Sequence, residues 1–214
     1  DGEISHFNDA AFDVAPSLEE LRGYCNRFFP AHIAPQISAL EHLENSGYLR
    51  MSREKATLIC DLAEVGPSYL PGHAHADTLS FEFSYGEERV LTNSGTSCYG
   101  VGAERLRQRG TAAHNTVVVS GENSSDVWSG FRVGRRAHPS EVKIEAGSAL
   151  FMASAAHDGY RFLPGEPLHS RRWILGDHAL LVTDRLTRPE LVAEARFHLH
   201  PAVQVAWREG GSRM

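Results

Sequence analysis

The sequence predicts a mainly β protein of antiparallel strands, a sandwich or a barrel, with a short helical head in front of it. Three observations predict this. Helical spacing is confined to about the first fifty residues. β-prone segments then follow one another at close intervals. Turn sequences such as "YGEE", "EAGSA" and "LGDH" separate them, and many short strands divided by turns are the mark of an all-β architecture.

In the head, "SLEELRGYCNRFF" (17–29) sets Leu18, Leu21, Tyr24, Cys25 and Phe28 at helical intervals. Ser17 is placed as its N-cap, with Glu20 as the reciprocal partner of a capping box. "APQISALEHLENSGY" (34–48) is expected to hold a second helix, ended by Ser46-Gly47. A boundary therefore falls near residue 50: residues 1–50 are helical, and 51–214 form the β domain. The ending "AWREGGSRM" does not read as the close of a domain, so the chain is expected to be part of a longer protein.

The expected strands are 56–63, 78–85, 89–95, 115–121, 141–146, 149–157, 170–177, 179–186 and 194–201. In 78–83, Leu79, Phe81 and Phe83 alternate with Thr78, Ser80 and Glu82, as in a strand with one buried face. No repeat or low-complexity tract interrupts the series.

The chain has 214 residues, is 42% apolar and carries a formal charge of −6. That length can bury a substantial core. That charge gives no general attraction to nucleic acid or to an acidic polymer, so any such attraction is local. No run reaches the ~20 apolar residues of a membrane span, and "DGEISHFND" is not a signal peptide. Cys25, Cys60 and Cys98 are far apart and odd in number. They are expected to be free, buried thiols rather than a zinc ribbon or redox pair.

The candidate chemistry centres on "LPGHAHADTLSFEF" (70–83). On an extended chain His73, His75 and Asp77 share a face, because side chains repeat every two residues. Imidazole is a common zinc ligand, and a metal-bound imidazole needs an acceptor for its other N–H. Asp77 suits that acceptor role or a ligand role. The spacing is equally that of polar residues at a strand edge. "VLTNSGTSCYG" (90–100) adds Asn93 and Tyr99, and "RLRQRGTAAHNTVVV" (105–119) adds three arginines at alternate positions and His114. A solvated stretch accounts for the arginines by composition alone, and a backbone carbonyl can satisfy His114. His198 and His200 repeat the H-x-H spacing near a proline and are read as structural or exposed.

In its order, "GHAHADTLSFEF…VLTNSGTSCY…R…R…TAAHNTVVV" resembles the heparinase II/III-like polysaccharide lyases, a group similar to certain alginate and oligoalginate lyases. "HFNDAAFDVAPSLEEL" resembles the segment closing their helical domain. "HSRRWILGDHALLVTDRL" and "RFHLHP" resemble later strands of their β domain. The resemblance implies an N-terminal α/α toroid, mostly absent here, followed by an antiparallel, supersandwich-like β-sandwich. It implies β-elimination at a uronic acid residue of an acidic polysaccharide, in a cleft between the two domains, in a periplasmic or secreted enzyme.

Carried onto this sequence, the resemblance makes His73 the catalytic histidine and Tyr99 a catalytic tyrosine. It makes His75, Asn93 and His114 the ligands of a structural zinc, with Asp77 in support. Arg105 and Arg109 are placed near the cleft, where an arginine fork suits a substrate carboxylate or sulfate. The family's middle metal ligand is normally an aspartate. Asn93 offers a neutral oxygen instead, a poorer zinc ligand with one negative charge fewer. That departure motivates an alternative, a β-sandwich that binds polysaccharide without cleaving it. The sequence does not address oligomeric state or name the polymer.

Overall fold

The structure, a computed structural model, describes residues 2–14, 16–29 and 37–206. It is mainly β and is built from antiparallel sheets, as the strand pattern predicts. The first sheet has five strands in chain order: β1 (Leu40–Leu43), β2 (Tyr48–Arg53), β3 (Ala56–Asp61), β4 (Phe81–Tyr85) and β5 (Glu88–Leu91). Helix α2 (Ala103–Arg109) and a short 3-10 turn at Thr111–Ala113 lead into β6 (Val117–Val119). A small hairpin follows, β7 (Val127–Trp128) with β8 (Arg132–Val133). The second large sheet is a meander of β9 (Pro139–Ala146), β10 (Leu150–His157), β11 (His169–Gly176) and β12 (Leu180–Leu186). β13 (Ala193–Ala195) returns to pair with β6.

The two large sheets close on one apolar core. Leu49, Met51, Leu58, Cys60, Leu79 and Phe81 from the first side meet Ala153, Ala155, Trp173 and Leu175 from the second. β11 shows how the sequence does this. His169, Arg171, Trp173 and Leu175 are its buried positions, and the residues between them are more exposed, the period-2 pattern of a half-buried strand. The inward row changes character along its length. Trp173 and Leu175 fill the apolar core, whereas Arg171 is paired with Asp184 through Nε at 2.7 Å and Nη2 at 2.9 Å. The buried Arg171 also donates to the carbonyls of Leu79 and Asn115. It thereby ties the second sheet to the two segments that carry the candidate site.

Helix α1 (Leu18–Phe28) forms as expected, with both hydrogen bonds of the Ser17–Glu20 capping box. None of its residues is buried, so its apolar stripe faces outward. The second expected helix is a correction. Residues 34–36 of that stretch lie outside the described residues, and the rest is β1, a turn and the start of β2. Leu40 pairs with Met51 and Leu43 with Tyr48, so pairing with β2 overrides the helical propensity of "ALEHLE". Gly47 is the turn residue and not a helix stop. Its φ is +76°, and a Cβ there would come within 2.3 Å of Ala63 Cα. The first sheet thus begins at Leu40, ahead of the expected boundary. Of the three thiols, all free, only Cys60 is buried, and Cys25 is exposed.

Candidate functional site

Residues 62–80 connect β3 to β4 through a series of turns and bends. The extended strand expected from residue 78 starts only at Phe81, and Leu79 has φ +61°. The shared face deduced for residues 73, 75 and 77 therefore does not exist. The His73 side chain is 68% exposed, whereas His75 and Asp77 point inward and are buried.

What brings His73 and His75 together is Asp9, which the sequence did not single out. Asp9 Oδ2 lies 2.7 Å from His73 Nδ1, and Oδ1 lies 2.8 Å from His75 Nε2. Arg105 grips the same carboxylate with both terminal nitrogens, Nη2 to Oδ2 at 2.7 Å and Nη1 to Oδ1. Burial alone would raise the Asp9 carboxyl, but the bonds from His75, Arg105 and His73 hold it well below the usual carboxylate range. The neighbours of Asp9 stitch the same strap down. The Asn8 N–H donates to Asp77 Oδ2 at 3.2 Å, the His75 N–H donates to Asn8 Oδ1 at 3.1 Å, and the His6 N–H donates to Glu82 Oε1 at 3.0 Å. Gly95 makes room for the strap, since a Cβ there would sit 2.4 Å from the Ala10 carbonyl.

Composition alone allowed Arg105 and Arg109 a solvated stretch, but they stand on α2, where positions 105 and 109 share one helical face and Arg107 takes another. Arg107 pairs with Glu104 in solvent. Arg105 and Arg109 are 1% and 0% exposed. Beyond Asp9, Arg105 donates to the Gly130 carbonyl and to Thr96 Oγ1. Arg109 donates to the carbonyls of Ala74, Trp128 and Arg132. Their forks hold the site together from inside and do not face the solvent.

Above Arg105 sits an aromatic group. The Tyr99 and Phe131 rings stack with centroids 5.8 Å apart, and each meets the His73 ring edge-on, at 6.0 Å and 5.9 Å. The Arg105 guanidinium lies 5.3 Å from the Tyr99 centroid, a cation–π arrangement. Tyr99 and Phe131 are half exposed. Beside His73 runs a groove of about 900 Å³, lined among others by Asn8, Tyr48, Glu64, Arg136 and His138.

Beneath His73, His75 Nδ1 faces His114 Nε2 at 3.3 Å, with both imidazoles fully buried. One donor atom from each of His75, Asp77 and His114 falls within 4.8 Å of the others. Sequence reasoning cast Asn93 as the third ligand and Asp77 as its support. In the structure Asn93 Oδ1 accepts the Asn115 N–H at 2.9 Å, and Nδ2 donates to Ser80 Oγ at 3.4 Å. The acidic member of the cluster is Asp77.

The group fits a metal ion. His75 gives its Nε2 side to a carboxylate, the outer contact that metal-bound imidazoles usually make. His114 turns its Nε2 into the cluster, toward His75 Nδ1. Burial raises the Asp77 carboxyl and drives the His114 imidazole well below its ordinary value. A cation among them would favour the unprotonated form of all three.

The family described as heparinase II/III-like, C-terminal, matches residues 35–214. No curated protein matches the sequence. The fold is similar to the crystal structure of a heparan sulfate lyase from Pedobacter heparinus, with a TM-score of 0.62 and 19% identity over 86% of this chain and 29% of that one. It is similar also to a crystal structure of heparinase III, with a TM-score of 0.63 and 17% identity over 86% of this chain and 30% of that one. The chain thus spans under a third of the length of these structures.

Proposed function

Because the chain belongs to the heparinase II/III-like C-terminal family, we propose that it forms one wall of the active site of a polysaccharide lyase. The reaction is β-elimination at a uronic acid residue. A base removes the C5 proton, the C4–O bond breaks with its electron pair leaving on oxygen, and an acid protonates that oxygen. The observation that carries this reading is the placement of His73. It is solvent-exposed, anchored at Nδ1 by Asp9, and flanked by Tyr99. Imidazole and phenol are the side chains that serve such proton transfers when fixed beside the substrate. His73 and Tyr99 share the acid–base work.

The substrate is an acidic polysaccharide, and the enzyme acts in the periplasm or outside the cell. With Arg105 and Arg109 turned inward, the basic groups that meet substrate carboxylates or sulfates are those of the groove, Arg136 and His138. The metal is zinc, held by His75, His114 and Asp77, whose mixed nitrogen and carboxylate donors suit it. A zinc ion there would cross-link the segment carrying His75 and Asp77 to the one carrying His114, beneath His73.

The test uses the protein carrying this chain on heparan sulfate, hyaluronan, alginate and bacterial uronate polymers. A lyase leaves a 4,5-unsaturated end that absorbs in the ultraviolet. The expected result is product from one of these polymers, lost in His73→Ala. Folded wild-type protein that binds a polymer but yields no unsaturated product would establish the non-catalytic module instead.

A further inference from the structure

We propose that the single carboxylate of Asp9 sets the tautomers of two histidines in opposite senses, making it the positioning residue of the site. The inference rests on the lyase reading for its kinetic consequence, but not for its structural content.

The argument is one of donors and acceptors. Arg105 places its fork on both Asp9 oxygens, and a carboxylate so paired is ionised and can only accept hydrogen bonds. Each imidazole nitrogen that touches Asp9 must therefore carry a hydrogen. For His73 that nitrogen is Nδ1, at 2.7 Å. The hydrogen of neutral His73 is then on Nδ1, and the lone pair is on Nε2. Nε2 has no protein partner among the described residues, and the ring is largely exposed. For His75 the nitrogen touching Asp9 is Nε2, at 2.8 Å. Its hydrogen is on Nε2, and the lone pair is on Nδ1, facing His114 in the interior.

Two histidines one residue apart thus present opposite atoms to one acceptor. His73 offers a lone pair outward, where it can take a proton from a substrate. His75 offers one inward, where it can take a metal. A free imidazole prefers hydrogen on Nε2, so His73 holds the minority tautomer and depends on Asp9 for it. Sequence distance hides the device, because the strap at residues 6–10 precedes every other part of the site.

Nitrogen-15 imidazole spectra of the intact protein test this at about pH 8.5, above the ordinary histidine range of about 6.5. Signals are assigned with His73→Gln and His75→Gln. In the wild type, His73 should show a protonated Nδ1 and a bare Nε2, and His75 the reverse. A wild-type His73 with its hydrogen on Nε2 would overturn the proposal with no variant needed. In Asp9→Asn, the amide can donate to His73 Nδ1, and the His73 pattern should invert. On an active polymer the kcat of Asp9→Asn should fall about a hundredfold or more, as a wrong tautomer costs a general base, with KM changed less than about threefold. Unchanged His73 spectra and unchanged kcat in Asp9→Asn would also sink it. If no polymer is cleaved by the wild type, the lyase reading fails while the spectra still decide the role of Asp9.

Discussion

Asp9 and His73 are separated by 64 residues of sequence, and their side chains meet at 2.7 Å. Asp9 also meets His75 and Arg105, so one short carboxylate gathers the exposed histidine, a buried one and a buried arginine.

Removing Arg105 should expose the cost of that arrangement. The Asp9 side chain is 6% exposed and Arg105 is 1% exposed, and taking away one member of a buried ion pair costs about 3–5 kcal/mol. Because His73 and His75 still donate to Asp9, Arg105→Ala should fall near the lower end, about 3 kcal/mol by urea unfolding. Arg105→Lys keeps the charge but not the fork and should recover less than half of the loss.

Metal content should follow Asp77 and not Asn93. Wild-type protein loaded with zinc and dialysed should retain about one ion per chain by elemental analysis. His114→Ala and Asp77→Asn should retain none, and their thermal midpoints should stop responding to added zinc. Asn93→Ala should keep its zinc, though it loses stability through the unpaired Asn115 N–H. Loss of zinc in Asn93→Ala with retention in Asp77→Asn would reverse the assignment.

Arg136 lines the groove and is only half-buried, with long contacts to the Pro67 and Ser68 carbonyls at 3.3 Å and 3.5 Å. A charge-assisted bond from it to a substrate anion should serve binding. Arg136→Ala should raise KM about tenfold with kcat within about twofold. A fall in kcat at unchanged KM would place Arg136 among the groups acting on the transition state.

The polar end of the second sheet should make stability pH-dependent. The Gly159 N–H donates to His157 Nδ1 at 3.0 Å, His157 Nε2 meets His169 Nδ1 at 3.0 Å, and His169 Nε2 meets Asp184 at 2.7 Å. Burial lowers both imidazoles below 6.5, His157 the further. The unfolded chain therefore takes up protons at higher pH than the folded one, and protons favour unfolding. This contribution is fully present above about pH 6.5 and is lost as pH falls below it. Urea midpoints measured from pH 8 down to about 5 should decline, and in His157→Gln the decline should be shallower.

The sandwich was legible wherever strands are long and half-buried. β9 to β12 fall within a residue or two of the segments expected from alternation and turn signals. The capped helix α1 was equally plain. Legibility ended where tertiary contacts override local pattern. "ALEHLE" has helical composition but pairs with β2. The parity rule failed at His73–Asp77 because that segment turns instead of running extended. By composition Arg105 and Arg109 fitted a solvated stretch, yet on a helix they share a buried face. Asp9 was not singled out within "HFNDAAFDVAPSLEEL", because its partners are 64 to 96 residues away.

The strap at residues 6–10 has a consequence for how the molecule is made. Its partners lie 64, 66 and 96 residues downstream. During synthesis the strap leaves the ribosome before any of them exists; it can meet Tyr48, Asp77 and Glu82 as the first sheet forms, but the Asp9 cluster is completed only when Arg105 on α2 arrives. Contacts of such long range close late. The strap therefore works as a clasp fastened after the garment is on. A chain still on the ribosome would hold its first sheet while the cluster around Asp9 stays incomplete until α2 emerges.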